Sequence, residues 1–344
     1  MLRGAFIIAV LVGTLAGFES WLWLREAATD PTRFAGTYTS GYFVPDDLLG
    51  HGPAKGVSVT ASKYVGDSLI YSVVYTIGAD GLRIAPPHAP DAKGCVLFFG
   101  DSITFGEGVN DTETMPYQVG LKVAGRYRVY NFGFHGYGPH QMLAALEGGR
   151  VASLIECMPM HIVYQTIIPH VERAVGLTLW DNHGPRYVPN PTGGVRHAGH
   201  FDDGEALPRL EHWLRQSVLY DTVFGRRRSV RAQDVDLYAR IVAQARAVVE
   251  SCYPGARFDV LLWDDRGIHT HDQVLTALEA KGLRLHRMTA VLPGYATDKT
   301  AYELHLHDHH PNSRTHGLIA DYVVDHILEP GSRTDHVPDM QREQ

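Results

Sequence analysis

The sequence predicts an α/β protein built as a three-layer sandwich with a mostly parallel central sheet, preceded by a small β-rich region. From Cys95 onward, short apolar runs alternate with helical segments, an order typical of parallel strands covered by helices on both faces. Residues 26–92 instead contain turn residues and short β-type runs. A length of 344 residues, 44% of them hydrophobic, is enough for one large domain and a smaller appendage.

Residues 1–25 predict a transmembrane anchor or a signal peptide. An apolar stretch, Ala5–Phe18, follows Arg3, and Trp21–Leu24 resumes the apolar character after an isolated acid, Glu19. Taken whole, the segment reaches the roughly 20 residues of a membrane-spanning helix, with tryptophans at the interface. Taken without its last turn, it resembles a signal peptide, with Thr14–Ala16 as a small-x-small cleavage site.

We expect the anchor, because the apolar character returns beyond the acid. Either interpretation places the rest of the chain outside the cytoplasm, in the periplasm or at the cell surface. If the segment is cleaved, we expect a secreted protein.

The β-rich region and linker occupy residues 26–92. Val57–Thr60 and Tyr71–Thr76 are short runs of β-type residues, and the region ends in a proline-rich stretch from Pro86 to Pro90.

Residues 93–330 form the main domain, in which each strand is followed by a helix or a turn. The predicted strands are Cys95–Phe99, Arg128–Phe132, His161–Ile167 and Phe258–Trp263, with a weaker one at Leu283–Leu285. Helices are predicted to begin near Met115, Pro139, Gln233 and Asp272, and a last one runs from about Ser313 to Leu328. Right-handed crossovers place the carboxyl ends of all strands on one edge, where sites form in open α/β sheets. Residues 170–230, rich in Gly, Pro, His and Arg, predict an insertion over that edge, and residues 331–344 a polar tail.

The charge and the cysteines exclude two classes of partner. A formal net charge of -7 and a single short basic run, Arg226–Arg228, argue against nucleic acid as a partner.

The three cysteines, Cys95, Cys157 and Cys252, fit no zinc spacing and allow at most one internal disulfide. Cys157 and Cys252 each lie between a predicted helix and a predicted strand and are the pair that could meet. Three buried thiols are the alternative that we favour.

Two strand ends carry residues suited to acyl chemistry. Gly100-Asp101-Ser102 follows the first apolar strand, so that the serine stands at a turn on the carboxyl edge of the sheet with backbone N–H groups after it. Asn131–Gly138 follows the second strand, and its glycines allow the backbone to approach a ligand closely. Each motif alone is also compatible with an ordinary turn.

A histidine-rich segment, His305–Asn312, precedes the last helix. Asp308 and His310 can act together there, the carboxylate orienting the ring while the ring accepts a serine proton. The same segment could hold a metal ion. We favour acid–base chemistry, because a serine and a glycine-rich turn are expected at the same sheet edge, and we expect no metal and no cofactor.

Together the three segments resemble the SGNH/GDSL hydrolase family, an esterase and lipase family, in its membrane-anchored bacterial type. The resemblance covers roughly residues 93–328 and implies the flavodoxin-like SGNH hydrolase fold. It implies Ser102 as nucleophile, Asp308 and His310 as the remaining triad members, and the backbone N–H groups of Ser102 and Gly136 as oxyanion-hole donors.

The sequence departs from the family pattern in two places. Counting back from His310 by the spacing common in the family reaches His307, which cannot serve as the acid, so we retain Asp308 at the shorter spacing. The asparagine that the family offers to the oxyanion is missing, because the matching strand end reads Pro169-His170. We therefore hypothesise that His170 supplies the third oxyanion contact.

The resemblance implies a serine esterase that hydrolyses small acyl esters, most simply O-acetyl groups, on an extracytoplasmic polysaccharide or glycoconjugate. Transfer of the acyl group to a carbohydrate hydroxyl is an alternative on the same fold, since both reactions share the acyl-enzyme. A catalytically silent protein that binds or assembles polysaccharide is the alternative from another class.

Overall fold

The computed structural model describes residues 2–29, 32–34, 41–92, 94–203, 217–219, 230–264 and 269–329. The basic run Arg226–Arg228, the predicted tail 331–344 and residues 204–216 and 220–229 of the predicted insertion lie outside the described residues.

The described residues form fourteen strands and ten α-helices. The strands are β1 (Thr32–Phe34), β2 (Phe43–Asp46), β3 (Gly50–Pro53), β4 (Ser58–Val65), β5 (Ser68–Thr76), β6 (Gly94–Phe99), β7 (Tyr127–Asn131), β8 (Met158–Thr166), β9 (Pro185–Pro189), β10 (Val195–His200), β11 (Arg257–Leu262), β12 (Arg284–Arg287), β13 (Glu303–His305) and β14 (Asp308–Pro311). The α-helices are α1 (Leu2–Thr29), α2 (Ser102–Phe105), α3 (Met115–Val123), α4 (Pro139–Glu147), α5 (Arg150–Leu154), α6 (His170–Ala174), α7 (Ala232–Cys252), α8 (His269–Ala280), α9 (Met288–Val291) and α10 (Ser313–Tyr322). Single 3₁₀ turns form at Asp111–Glu113 and Leu179–Asp181, and a π-helical turn at Val323–Leu328 extends α10.

The N-terminal segment forms α1, but the predicted membrane-spanning helix is not confirmed. Among the described residues, no helix combines the length and the apolar character needed to cross a membrane. Glu19, the acid that interrupts the apolar run, accepts hydrogen bonds from the Ser217 hydroxyl and the Val218 and Leu219 backbone N–H groups at 2.8–2.9 Å. The Glu19 side chain is therefore hydrogen-bonded, and it connects α1 to residues 217–219.

The β-rich region forms an antiparallel three-stranded sheet in the order β1-β4-β5, beside a β2-β3 hairpin. Alternate residues of β4 and β5 are buried, as a strand with one packed face requires. On β4 these are Val59, Ala61 and Lys63. The apolar members of the buried face join the same core cluster as Phe105 and Phe134, so this region packs directly on the main domain.

The main domain contains the predicted parallel sheet, in the order β7-β6-β8-β11-β12. Every predicted strand is present, with its ends displaced by a few residues at most. The middle strands are mostly apolar because both faces of the sheet are covered. One face packs on the cluster that includes α4 and α7, and the other on the cluster that includes α3 and α10. The α/β class with a central parallel sheet is thus confirmed.

The strand order creates a switch point beside β6. The chain leaves β6, adds β7 on one side, and then crosses over to add β8 on the other side. Adjacent loops diverge at such a point and leave a crevice at the carboxyl edge. Ser102 follows β6 at this crevice.

The cysteine prediction was wrong: Cys95 and Cys157 form a disulfide, and Cys252 is a free, exposed thiol. Cys95 lies in β6 and Cys157 directly precedes β8. Because these strands are parallel neighbours, with Cys95 opposite Pro159, the two Cα atoms lie 5.7 Å apart. Cys252 is the last residue of α7 and does not take part in the disulfide. The prediction failed because the order of elements along the chain does not reveal which two strands are neighbours in the sheet.

Candidate active site

The turn that carries Ser102, here called the serine turn (Gly100–Phe105), is held by its own side chains. Asp101 caps α2, its Oδ1 accepting the backbone N–H of Ile103 at 3.0 Å. A Cβ at Gly100 would lie 2.9 Å from the backbone oxygen of Gln165, so only glycine allows β6 and β8 to approach here. The turn therefore presents Ser102 at the carboxyl edge in a fixed position.

The β13-β14 hairpin brings the predicted acid and base to the serine. Ser102 Oγ and His310 Nε2 lie 2.8 Å apart, and His310 Nδ1 lies 2.6 Å from Asp308 Oδ1. In the neutral form of the ring, Asp308 accepts the Nδ1 proton and the Nε2 lone pair faces the serine hydroxyl. The ring can therefore take the serine proton while the carboxylate stabilises the resulting charge.

Lys63 of the β-rich region completes this arrangement and was not predicted. Its Nζ lies 3.0 Å from Asp308 Oδ2, the oxygen that does not face His310. Burial raises the pKa of Asp308, but hydrogen bonding to His310 and the nearby charges of His310 and Lys63 lower it to below its usual value. The sequence did contain a signal for this role. Lys63 continues the alternation of Val59 and Ala61, so it is a charged residue on the buried face of β4.

The second predicted segment forms the glycine turn (Gly133–Gly138), which packs against the serine turn. Asn131 links the two, because its Oδ1 accepts the Gly133 N–H and its Nδ2 donates to the Thr104 backbone oxygen, both at 3.0 Å. A Cβ at Gly133 would lie 2.8 Å from the Phe105 nitrogen. Gly136 adopts a positive φ of 76°, which favours glycine.

Arg173 of α6 joins the same two turns, and sequence reasoning did not find it. Its Nη1 donates to Asp101 Oδ2 at 2.9 Å and to the Tyr137 backbone oxygen at 2.7 Å. Asp101 precedes Ser102 and Tyr137 follows Gly136, so one guanidinium fixes the turns that carry both predicted oxyanion donors. Burial raises the pKa of Asp101, but the adjacent His170 ring, the charge of Arg173 and the Ile103 N–H bring the pKa well below its usual value.

The structure does not bring His170 to the serine, contrary to our hypothesis. Its Nδ1 lies 2.7 Å from the Tyr164 hydroxyl and 3.1 Å from Thr166 Oγ1, while its Nε2 lies 3.1 Å from Asp101 Oδ2, poorly aligned for a hydrogen bond. Burial lowers the pKa of this histidine to about 4, so the ring is neutral. His170 starts α6 and points behind the serine turn, where it supports Asp101.

A cleft of about 290 Å³ opens over the serine and the histidine. One part of its lining is apolar and is formed by Ile103, Ile167, Ile168, Pro169, Trp263 and Tyr295. Besides Ser102, Asp308 and His310, the polar part of the lining contains Lys63, Asp101, Arg173, His271, His307 and His309. The residues that follow β8, at the place that corresponds to the asparagine of the SGNH/GDSL family, thus contribute apolar side chains to the cleft. A larger cavity, about 500 Å³, lies between the β2-β3 hairpin and the glycine turn but is not lined by Ser102. The chemistry therefore belongs to the smaller cleft.

The other histidines of the His305–Asn312 segment, for which a metal site was the alternative, have partners of their own. His305 Nδ1 accepts the His307 backbone N–H at 3.1 Å, and His309 Nδ1 lies 2.7 Å from Glu303 Oε2. Within the residues that the structure describes, no group of three or more potential ligands is placed to hold a metal ion.

Comparisons with known proteins give structural likenesses only. No protein-family model and no curated protein matches the chain. Among solved structures, a member of the lipolytic protein G-D-S-L family from Veillonella parvula is 13% identical, with 69% of this chain and 99% of that chain covered and a TM-score of 0.38. An acetyl xylan esterase from Butyrivibrio proteoclasticus is 12% identical, with 68% and 64% covered and a TM-score of 0.38. A carbohydrate esterase family 2 enzyme from Corynascus thermopiles is 14% identical, with 85% and 98% covered and a TM-score of 0.36. The structural neighbours are thus GDSL lipolytic proteins and esterases at low sequence identity, and any function must be inferred from the site itself.

The buried position of His170 predicts that His170→Ala lowers stability. Removing the ring leaves Tyr164 and Asp101 with one buried partner fewer, a loss of about 1–3 kcal/mol in the free energy of unfolding, measurable by urea titration. His88→Ala, at an exposed histidine, is the matched control and should leave stability unchanged. An unchanged unfolding midpoint combined with a hundredfold loss of turnover would instead restore His170 as an oxyanion donor.

Proposed function

We propose that the protein is a serine esterase that hydrolyses small acyl esters, with Ser102 as nucleophile, His310 as general base and Asp308 as its orienting acid. One observation carries the proposal: the continuous contact from Ser102 Oγ to His310 Nε2 at 2.8 Å and from His310 Nδ1 to Asp308 Oδ1 at 2.6 Å. The three residues lie at the mouth of a cleft at the sheet's switch point, the position expected of a site in this fold class.

The proposed reaction proceeds through an acyl-enzyme. Ser102 Oγ attacks the ester carbon while His310 Nε2 accepts its proton, and the oxyanion is stabilised by the backbone N–H groups of Ser102 and Gly136. The C–O bond to the alcohol then breaks, and the alcohol leaves with the proton from His310. Water attacks the acyl-enzyme by the same route, releasing the carboxylic acid and restoring the serine.

The size of the cleft supports a small acyl group. A volume of about 290 Å³ must hold both the acyl group and the nearest part of the alcohol, and pockets for drug-sized ligands begin near that volume. The apolar wall of Ile167, Ile168 and Trp263 suits a methyl group better than a charged one. We therefore propose O-acetyl esters.

Ser102→Ala tests the proposal directly. The variant should lose labelling by a fluorophosphonate probe and at least about a thousandfold of its turnover of p-nitrophenyl acetate, with an unchanged unfolding midpoint. Ser72→Ala, an exposed serine on β5, is the matched control and should keep both activities. Comparable turnover in Ser102→Ala would exclude the serine mechanism, and a wild-type protein that is neither labelled nor active would favour the silent binding protein.

We propose a carbohydrate as the alcohol part of the ester because an indole is exposed beside the glycine turn. Trp180 is 62% exposed, and a Cβ at Gly136 would lie 2.7 Å from its Nε1. A flat, exposed aromatic face next to a proposed oxyanion donor offers a surface on which a sugar ring can pack. Acyl transfer to a sugar hydroxyl in place of water would be revealed by a product that depends on an added acceptor.

Trp180→Ala should weaken binding of the sugar but not the chemistry. For an O-acetylated oligosaccharide we expect KM to rise about threefold to tenfold, the equivalent of one aromatic contact, at nearly constant kcat. Hydrolysis of p-nitrophenyl acetate should not change. Leu121→Ala, at an exposed leucine on α3, serves as control, and an equal loss on both esters would argue against a sugar platform.

We propose an extracytoplasmic location, with α1 as membrane anchor or cleaved signal. The Cys95–Cys157 disulfide supports an oxidising compartment. Phe6, Ile7 and Val10 of α1 are exposed apolar side chains, which suits contact with a membrane.

Cysteine alkylation tests this location. When cells that produce the full chain are lysed in an alkylating agent without reductant, mass mapping should find Cys252 modified and Cys95 and Cys157 joined. With reductant added first, all three cysteines should be modified. Modification of all three without reductant would place the chain in a reducing compartment.

A further inference from the structure

Glu107 is a buried acid beside the triad that the proposed reaction has not used. Its Oε2 lies 3.6 Å from His310 Nε2, the ring nitrogen that faces Ser102. Asp308 binds the opposite nitrogen, Nδ1. His310 therefore lies between two carboxylates, one at each nitrogen of the ring.

Neighbouring side chains hold Glu107 in this position. Its Oε2 also lies 2.7 Å from His135 Nδ1, and its Oε1 accepts a hydrogen bond from the Tyr71 hydroxyl at 3.4 Å. His135 Nε2 in turn lies 3.1 Å from the Tyr42 hydroxyl. A buried carboxylate with partners on both oxygens is fixed in place, and burial among these donors is consistent with its charged form.

The charged groups around His310 come from three parts of the chain. Asp308 lies on β14, Asp101 and Glu107 flank α2, and Lys63 approaches from β4 behind Asp308. His316 of α10 faces the same region, and burial lowers its pKa to about 3, so this histidine is neutral. Burial lowers the pKa of His310, but the charge of Glu107, the hydrogen bond and charge of Asp308 and the charge of Asp101 raise it to about 9.

We propose that Glu107 is a positioning residue that binds the protonated His310 ring at Nε2 and thereby sets the pH above which His310 can accept the proton of Ser102. This inference rests on the proposed function. When His310 is protonated, its Nε2–H faces Ser102 Oγ at hydrogen-bond distance, and the Glu107 carboxylate lies within ion-pair distance of the same nitrogen. The charged ring is then stabilised but cannot act as a base, because its second nitrogen already carries a proton.

The consequence is an enzyme whose activity rises with pH through the ionisation of His310. Below that pH, the fraction of active, neutral imidazole falls about tenfold per pH unit. Removing the negative charge of Glu107 while retaining its shape removes one of the attractions that hold the proton, the one at Nε2. The protein should therefore become more active near neutral pH, the reverse of what loss of a structural side chain produces.

Glu107→Gln is the test, with kcat/KM for p-nitrophenyl acetate measured from pH 5.5 to 10 on the purified full chain. We expect the apparent pKa of the rising limb to be lower by about one pH unit or more, and kcat/KM at pH 7 to be about tenfold closer to its own plateau. Glu107→Asp retains the charge and should restore part of the wild-type profile. Glu113→Gln, at an acid that caps Asn110 on the next turn, is the matched control and should leave the profile unchanged.

The outcomes separate this inference from the proposed function. An active wild-type protein whose profile does not move in Glu107→Gln, or that only loses activity equally at every pH, would overturn the role of Glu107. If the wild type hydrolyses no ester, the proposed function fails, and NMR titration of the His310 ring, assigned with His310→Asn, decides the matter. A titration midpoint that falls in Glu107→Gln supports the inference, and an unchanged midpoint overturns it.

Discussion

The buried carboxylate of Asp101 is the interaction on which the site depends. It caps α2 through the Ile103 N–H, accepts the Arg173 guanidinium and lies beside the His170 ring. Through Arg173 it is also tied to the Tyr137 backbone oxygen of the glycine turn. An ionised acid is tolerated at this depth only because each of its neighbours is a donor or a cation. The same requirement holds the serine turn, the glycine turn and α6 in one arrangement.

The β-rich region belongs to this site as much as the parallel sheet does. Lys63 reaches Asp308, Tyr71 reaches Glu107, and Tyr42 supports the histidine that binds Glu107. Its buried face also shares the apolar core of the main domain. Division of the chain at residue 92, where the composition changes, therefore separates elements that are joined in the folded molecule. The region supplies Lys63, the positive charge beside Asp308, and the tyrosines Tyr71 and Tyr42, which help to hold Glu107 in place.

Around His310 the balance of charge favours a protonated ring. Each of three buried acids has its own partner: Asp101 with Arg173, Glu107 with His135, and Asp308 with Lys63. For each of these acids the pKa lies below its usual value, because the attraction of neighbouring donors and cations exceeds the cost of burial. An imidazolium formed during acyl transfer would thus lie among ionised acids.

The sequence alone determined the strand and helix pattern, because burial on both faces imposes apolar runs that can be read locally. It also indicated that Ser102 and the glycine turn lie at one sheet edge, because parallel strands end on the same side. Only the tertiary structure decided that Cys157 faces Cys95, that His170 turns away from the serine, and that Glu107 joins the site. These outcomes depend on which strands are neighbours and on the direction in which a side chain leaves a short helix or turn. Both are set by packing between residues distant in the chain, about which periodicity contains no information.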